Sequence, residues 1–426
     1  MMKRKGKKTI PLVGICLLLL GLLLVGCDEV EADLPVEISE PAPEVLESFD
    51  QELANRSNQF GFQMFQQLME GEENKMISPT SIYTALAMTM NGADGETREA
   101  MAKTLEVAGV DLETFNLNNK LRHYLLQEAD EEVTLRIANS LWMREGISLK
   151  PAFIHNNQQY YSAVANALDF STAEAVERIN QWVEDSTEGL IEEIVEYPID
   201  PQTILFLINA VYFQGDWTTA FDPDKTTEET FYRSEETLEG IPFMNRQDEF
   251  LYLEKEEAFQ AIRLPYGEKE QMAMYVFLPW EGRSLQSFVD DLSAEQWEKW
   301  QHQFSRREGQ LKLPRFTMAY EKSLKEALSR MGMEIAFDPA QADFSEMVSW
   351  EQGENVFISD VKHKSFIEVE ETGTEAAAVT SVEVRVTSMP IDEPFQMVVN
   401  RPFYFMIHDE ETNEILFMGT VAEPKQ

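Results

Sequence analysis

The stretch from Glu371 to Pro390, ETGTEAAAVTSVEVRVTSMP, decides how this 426-residue chain is read. From Thr374 onward the even positions are Thr374, Ala376, Ala378, Thr380, Val382, Val384 and Val386, all small or apolar. The odd positions, Glu375, Ala377, Val379, Ser381, Glu383, Arg385 and Thr387, are mostly polar. A period of two is the pattern of a half-buried strand. No proline interrupts it before Pro390, and a central strand tolerates none. Gly373 and the run of small residues equally suit a segment that moves. The pattern alone leaves both readings open: a strand already in a sheet, or a mobile segment.

Outward from this stretch the chain is mixed. Phe60, Met64, Phe65 and Leu68 share one helical face. Pro79 to Asn91 continues in helical mode, with proline at a helix start. Ile179 to Ile194 is expected as an amphipathic helix, with Ile179, Trp182, Val183, Leu190, Ile191 and Ile194 on its apolar side. Ile204 to Phe213 (ILFLINAVYF) is an apolar run fit for a strand buried on both faces. Met272 to Leu278 and Phe403 to Ile407 read similarly, and Val356 to Glu371 is a strand candidate with partial alternation. The fold class is α+β. No internal repeat or low-complexity block appears, so 47–426 is taken as one domain.

The composition, 43% hydrophobic and 11% aromatic with seven Trp and 26 Phe, allows a substantial core. The N-terminus has another character. Lys3, Arg4, Lys5, Lys7 and Lys8 precede an apolar run from about Ile10 to Val25, the layout of a signal peptide. It ends in Leu24-Val25-Gly26-Cys27, which resembles the bacterial lipobox, where the Cys is diacylated on sulfur and becomes the new N-terminus. An ordinary signal peptide with a chance Cys is the plainer alternative. The organisation expected is a lipoprotein leader at 1–26, an acidic, proline-containing tether at 27–46, and the domain. Location follows from Cys27: anchored to the cell membrane by lipid, facing the extracytoplasmic side.

The other cysteine, Cys16, lies within the leader, so the mature chain would hold no disulfide, cysteine nucleophile or Cys-zinc site. The leader carries five of the 35 basic residues and none of the 76 acidic ones, so its loss moves the net charge from −41 to −46. Such a charge argues against nucleic acid, heparin-like polymers and bare anionic lipid as partners. There is no GxSxG, P-loop, GxGxxG, HExxH or CxxC. His123, His155, His302, His363 and His408 stand apart, without metal-ligand spacing. A conventional active site is not expected, nor is a metal or cofactor.

The segment EETGTEAAAVT resembles the reactive-loop hinge of the serpins, where Glu-x-Gly-Thr precedes a run of small residues. The resemblance extends over nearly all of 55–424. NKMISPTSIYTALAMTMNGADGET (74–97), LRIANSLW (135–142), INQWVEDSTEGLI (179–191), LINAVYFQGDWTTAF (207–221), LPRFTMAYEKSLKEALSRMGM (313–333), ADFSEM (342–347), NRPFYFMI (400–407) and LFMGTVAEP (416–424) follow in the family's order.

This resemblance implies a serpin fold, about nine helices around three β-sheets, with an exposed, insertable reactive-centre loop at about 371–392. It implies a monomer that inhibits a target serine protease as a suicide substrate. Its hinge would comprise Glu371, Gly373, Thr374, Glu375, Ala376, Ala377 and Ala378. Ser78, Pro79, Ser81, Asn209 and His363 match the shutter, where the sheet opens, and Trp217 matches the breach, where insertion begins. Plain packing is the simpler reading for His363 and Trp217.

Counting 17 residues from Glu371 gives Thr387–Ser388 as the reactive bond. The stretch to NRPF looks a few residues longer than the commonest family pattern, so Arg385 and Val386 remain alternatives. Arg385 would invite a trypsin-like protease; valine or threonine would invite an elastase-like or subtilisin-like one. A cysteine protease stays open as a target. A non-inhibitory serpin serving as a surface binding or structural protein is the alternative function.

Overall fold

A computed structural model describes residues 40–201, 203–234, 236–349, 355–374 and 393–425. The leader, Cys27 and the loop from Glu375 through Ser388 lie outside the described residues. Of the expected tether, Pro43–Leu46 forms one helical turn with no buried residue.

The helices are α1 (Pro43–Leu46), α2 (Gln51–Leu68), α3 (Pro79–Met90), α4 (Gly95–Thr104), α5 (Leu112–Gln127), α6 (Pro151–Tyr161), α7 (Ala173–Ser186), α8 (Leu285–Asp290), α9 (Ala294–Gln301) and α10 (Lys325–Leu328). The strands are β1 (Lys75–Ile77), β2 (Val133–Arg144), β3 (Val164–Leu168), β4 (Leu205–Asp216), β5 (Thr227–Tyr232), β6 (Thr237–Lys255), β7 (Phe259–Pro265), β8 (Met272–Pro279), β9 (Ser305–Pro314), β10 (Phe316–Ser323), β11 (Asp360–Val369), β12 (Gly373–Thr374), β13 (Phe395–Val398), β14 (Phe403–Asp409) and β15 (Glu414–Val421).

The strands hydrogen-bond into two networks rather than three separate sheets. One runs β1-β15-β14-β8-β7-β6-β9-β13 with β5 on β6; the other runs β10-β11-β12-β4-β2-β3. The first is continuous because β6 is long enough to serve two layers. Its first part pairs with β5 and β9, and its end turns onto β7.

The expected helical face of α2 is buried at Phe60, Met64, Phe65 and Leu68. Helix α3 is buried on every side, which places it between α2 and the sheets. The two helices touch closely: a Cβ on Gly61 would lie 2.7 Å from Pro79 Cβ.

The helix expected over 179–194 starts and stops earlier, as α7. Thr172 caps its start through Ala175 N, and the chain leaves the helix at Glu188 and Gly189, with φ of +51° and +86°. Glycine accepts that conformation readily and terminates helices for this reason. Ile191 and Ile194 remain buried beside Trp182 without being helical. The strand expected over 356–371 is also shorter. Only β11 is paired, and it alternates strictly, with Val361, His363, Ser365, Ile367 and Val369 inward.

Candidate functional site

The site is the seam between β4 and β11. At one end these strands pair directly and in parallel, from Asp360 opposite Phe206 to His363 opposite Asn209. At the other end β12 lies between them: Thr374 is opposite Val369 on β11 and Gly215 on β4, and Gly373 is opposite Asp216. Both ends share one offset between β4 and β11. Between them, residues 364–368 and 210–214 do not pair with each other. They are paired only outward, to β10 and β2. Among the described residues, none fills these five rungs.

The hinge differs from its expectation. Gly373 and Thr374, expected in the exposed loop, are already a sixth strand of the sheet, and Thr374 is 1% exposed. The chain reverses over Glu370–Gly373, with Glu370 N donating to the Gly373 carbonyl at 2.9 Å. Gly373 is required by space. A Cβ there would lie 2.2 Å from the Gly215 carbonyl oxygen and 2.6 Å from Asp216 Cα.

The turn after β4 holds this reversal. Trp217 N donates to the Thr372 carbonyl and Phe221 N to the Glu371 carbonyl, both at 2.8 Å. Trp217 Nε1 donates to the Glu370 carbonyl at 2.9 Å. The indole stacks on Tyr266 with centroids 4.4 Å apart. The Tyr266 and Thr374 hydroxyls hydrogen-bond at 2.8 Å. Burial pushes the phenol well above its usual range, so it stays protonated.

Glu371 is buried, and its Oε1 accepts from Arg315 Nε at 2.8 Å, from Arg315 Nη2 at 2.5 Å and from the Thr226 hydroxyl. Arg246 lies over the rings of Phe221 and Phe250 and donates to the Thr219 carbonyl. Its burial lowers the guanidinium to about 10, still charged at neutral pH.

At the closed end His363 is 2% exposed. Pro79 opens α3 without an N–H to satisfy, and the preceding Ser78 amide donates to His363 Nε2 at 3.3 Å. Burial pushes the imidazole down to about 4, so at neutral pH Nε2 keeps the lone pair that accepts this bond. The Ser78 and Ser81 hydroxyls are buried and have no hydrogen-bond partner among the described residues. Asn139 on β2 stands opposite Asn209 in the strand register. The chain after α7 crosses the outer face of β11: Lys362 Nζ donates to the Ile194 carbonyl at 3.1 Å and Lys364 Nζ to the Glu193 carbonyl at 2.6 Å.

The structure thus brings Glu371, Gly373, Thr374 and Trp217 together at one end, and Ser78, Pro79, Ser81, Asn209 and His363 at the other. Glu375, Ala376, Ala377, Ala378, Arg385, Val386, Thr387 and Ser388 lie outside the described residues. Sequence reasoning missed Tyr266, Arg315, Thr226 and Ser365, whose hydroxyl donates to the Met76 carbonyl. Arg315 and Ser365 lie inside stretches already singled out, 313–333 and 356–371, but nothing local marks their partners.

Comparison with known proteins agrees with this geometry. The family pattern described as Serpin (serine protease inhibitor) matches residues 55–424. A serpin-like protein of Thermococcus kodakarensis is 36% identical, covering 89% of this chain and 87% of its own length. Neuroserpin of Homo sapiens is 33% identical, covering 83% and 87%. The crystal structure of the thermophilic serpin Tengpin in its native state superposes with a TM-score of 0.80 at 31% identity, covering 93% of this chain and 98% of that one.

Proposed function

The chain belongs to the serpin family, a family of protease inhibitors, and on that premise we propose that it is a suicide-substrate inhibitor of extracellular serine proteases. The observation that carries the reading is the β12 strand: Gly373 and Thr374 stand between β4 and β11 in a register that continues into rungs no described residue fills. A loop already threaded at one end has a defined path for the rest.

The protease nucleophile attacks the carbonyl carbon of the residue before the reactive bond, proposed as Thr387–Ser388, with Arg385 and Val386 as alternatives. The peptide C–N bond breaks, the new amine on the C-terminal side takes a proton, and an ester joins the loop to the protease. The freed N-terminal part extends β12 down the seam before water hydrolyses that ester. Each inserted residue completes main-chain bonds on two sides. Burying Val382 and Val384 adds roughly 1.5–3 kcal/mol each. Ala376, Ala377 and Ala378 keep passage sterically easy. The uncut state is then kinetically trapped above the inserted one.

The test incubates the mature domain separately with elastase-like, subtilisin-like, trypsin-like and cysteine proteases, followed by denaturing gels and mass spectrometry of the released peptide. A denaturant-resistant band at the summed mass is expected, and the peptide mass assigns the bond. Clean cleavage with every protease left active would place the chain among non-inhibitory members.

Membrane anchoring through Cys27 belongs to the same proposal. The full chain expressed in a bacterial host should partition into detergent, and Cys27→Ser should leave it in the aqueous phase. Equal partition of both would remove the anchor.

A further inference from the structure

An open cleft of about 690 Å³ lies where three connections meet. These are the β6–β7 turn at Glu257, the end of β8 at Trp280 and Glu281, and the β13–β14 link at Asn400 and Arg401. A neighbouring cleft of about 480 Å³ shares Glu257 and Glu281 with it and continues to Arg283. None of these residues belongs to the seam between β4 and β11.

Arg401 is fixed in this cleft but not neutralised. Its Nε donates to the Pro279 carbonyl at 2.9 Å, and Nη1 reaches the Asn400 side-chain oxygen at 3.4 Å. Nη2 has no partner among the described residues. Arg122, Arg263 and Arg315 each hold a carboxylate. Arg401 holds none among the described residues, in a chain with 76 acidic and 35 basic residues, although Glu257 and Glu281 line the same cleft. Burial lowers the basicity of the guanidinium, and the charge of Glu281 opposes this from a distance.

The neighbouring backbone adds donors. Strand β13 is an edge, paired with β9 alone. Val399 N donates to the Lys312 carbonyl at 2.9 Å, so strand alternation turns Gln396 and Val398 away from β9, and both line the cleft. Their carbonyls are already taken, by Gln260 Nε2 at 3.1 Å and by Asn400 N at 2.9 Å. What this edge still offers is N–H. The Trp280 indole is held as one wall, its Nε1 on the Lys255 carbonyl at 3.0 Å and its amide on the Ala258 carbonyl at 3.1 Å. A guanidinium fork beside outward amides suits a ligand that only accepts, and a carboxylate suits it best. The two acids of the rim ask for a cation close to that carboxylate. Glu257 is kept there at φ +59°, a conformation that glycine or asparagine takes more readily.

We propose that this cleft binds the C-terminal end of an extended peptide whose last residue is basic. The terminal carboxylate takes the Arg401 fork, the peptide backbone accepts from the β13 edge, and the basic side chain lies between Glu257 and Glu281. Proteases that cut after Lys or Arg leave ends of this kind.

The experiment titrates the full chain into fluorescein-labelled Ala-Val-Ala-Ala-Lys carrying a free carboxylate, and reads fluorescence anisotropy. Saturable binding is expected. The C-terminal amide of the same peptide should bind about tenfold more weakly or worse, on the unaltered protein. Arg401→Gln should weaken the free acid to the level of the amide and leave the amide unchanged, the signature of a direct pair. Glu257→Asn, which keeps the turn, should weaken the Lys peptide about threefold and leave a peptide ending in Ala unchanged.

Absence of saturable binding overturns the site. Equal binding of acid and amide overturns the role of Arg401 without reference to any variant. Glu257→Asn weakening both peptides alike overturns the cation subsite. Acetate or inorganic phosphate displacing the probe as effectively as the unlabelled peptide reduces the site to one for simple anions and overturns the peptide reading. Trapping of a protease is scored on separate gels, so none of these outcomes bears on the inhibitor reading.

Discussion

At the Gly373–Thr374 end of the seam, β4 and β11 are held apart by a third strand, whereas at the His363–Asn209 end they pair with each other. The polar accounts of the two ends also differ. At the hinge end the carbonyls of Glu370, Glu371, Thr372 and Gly373 all accept hydrogen bonds, and the Glu371 carboxylate accepts three. At the closed end two buried hydroxyls have no partner among the described residues. A buried unsatisfied polar group costs about 1–3 kcal/mol. One end of the sheet is therefore polar and satisfied as it stands, while the other keeps direct strand pairing at a polar cost. The proposed insertion would draw on this asymmetry: a firm starting point at one end, and a second half that gains when opened.

The largest expected effect breaks the hinge end. Thr374→Arg places a cation where the native side chain is 1% exposed and faces a buried tyrosine, at a cost of several kcal/mol. The loop should still be cut by the same protease, but the denaturant-resistant complex should disappear from the gel. Normal complex formation by this variant would show that Thr374 need not be in the sheet.

Glu371→Ala should come next. It removes the acceptor of Arg315 and Thr226 and leaves the guanidinium without its carboxylate partner. Buried pairs broken at one partner lose about 3–5 kcal/mol, but Arg315 is partly exposed, so about 2 kcal/mol is expected here. The urea midpoint at neutral pH measures it. Exchange at Val369 and Gly215 should quicken while that at 206–209 does not. Uniform quickening would mean that the two ends open together.

The closed end should be the pH-sensitive one. His363 has its folded value lowered to about 4 from an ordinary value of about 6.5, by burial alone, with no neighbouring charge contributing. The unfolded chain thus binds the proton more readily. The stability is fully present above about pH 6.5 and is lost as pH falls toward 4. Between pH 7 and 5 the loss attributable to this group is about 2 kcal/mol, at 1.36 kcal/mol per pH unit below 6.5. His123 and His408 are lowered to about the same value and add their own slopes. Urea midpoints at the two pH values, with His363→Asn removing one share of the slope, isolate it. An unchanged slope in that variant would assign the acid sensitivity to the other two histidines.

Much of this was legible in the sequence. Partial alternation over 356–371 pointed to β11 and continuous apolarity to β4 and β8, while the small-residue run of the expected hinge lies outside the described residues. The resemblance supplied Trp217 and His363. Legibility failed where a contact joins distant segments through backbone rather than pattern. Gly215 looks like an ordinary glycine until Gly373 crosses it. Tyr266 sits in an unremarkable LPYG turn and matters because its hydroxyl meets Thr374. The end of α7 was readable in Glu188-Gly189, but the apolar spacing of Leu190, Ile191 and Ile194 outweighed it. Ile191 and Ile194 are buried in a strap that repeats the helical face without being helical, and Leu190 is only half-buried there.

Tyr266→Phe should have the smallest effect and the most selective one. The ring keeps its stack on Trp217 and its edge contact with Phe213, so packing is preserved and one buried hydroxyl pair is lost. The expected loss is about 1 kcal/mol, the net value of such a bond. Because both hydroxyls lie at the hinge, the loss should appear in exchange at Thr374, Val369 and Gly215, while the 206–209 rungs and the pH slope stay unchanged. The variant should also release its hinge more readily, lowering the fraction of cleavage events that end in a trapped protease. Thr374→Val should do the same, and the double variant should be no worse than either single one. An additive double variant would mean that the two hydroxyls act through other partners and that the hinge is held by Glu371 and Trp217 alone.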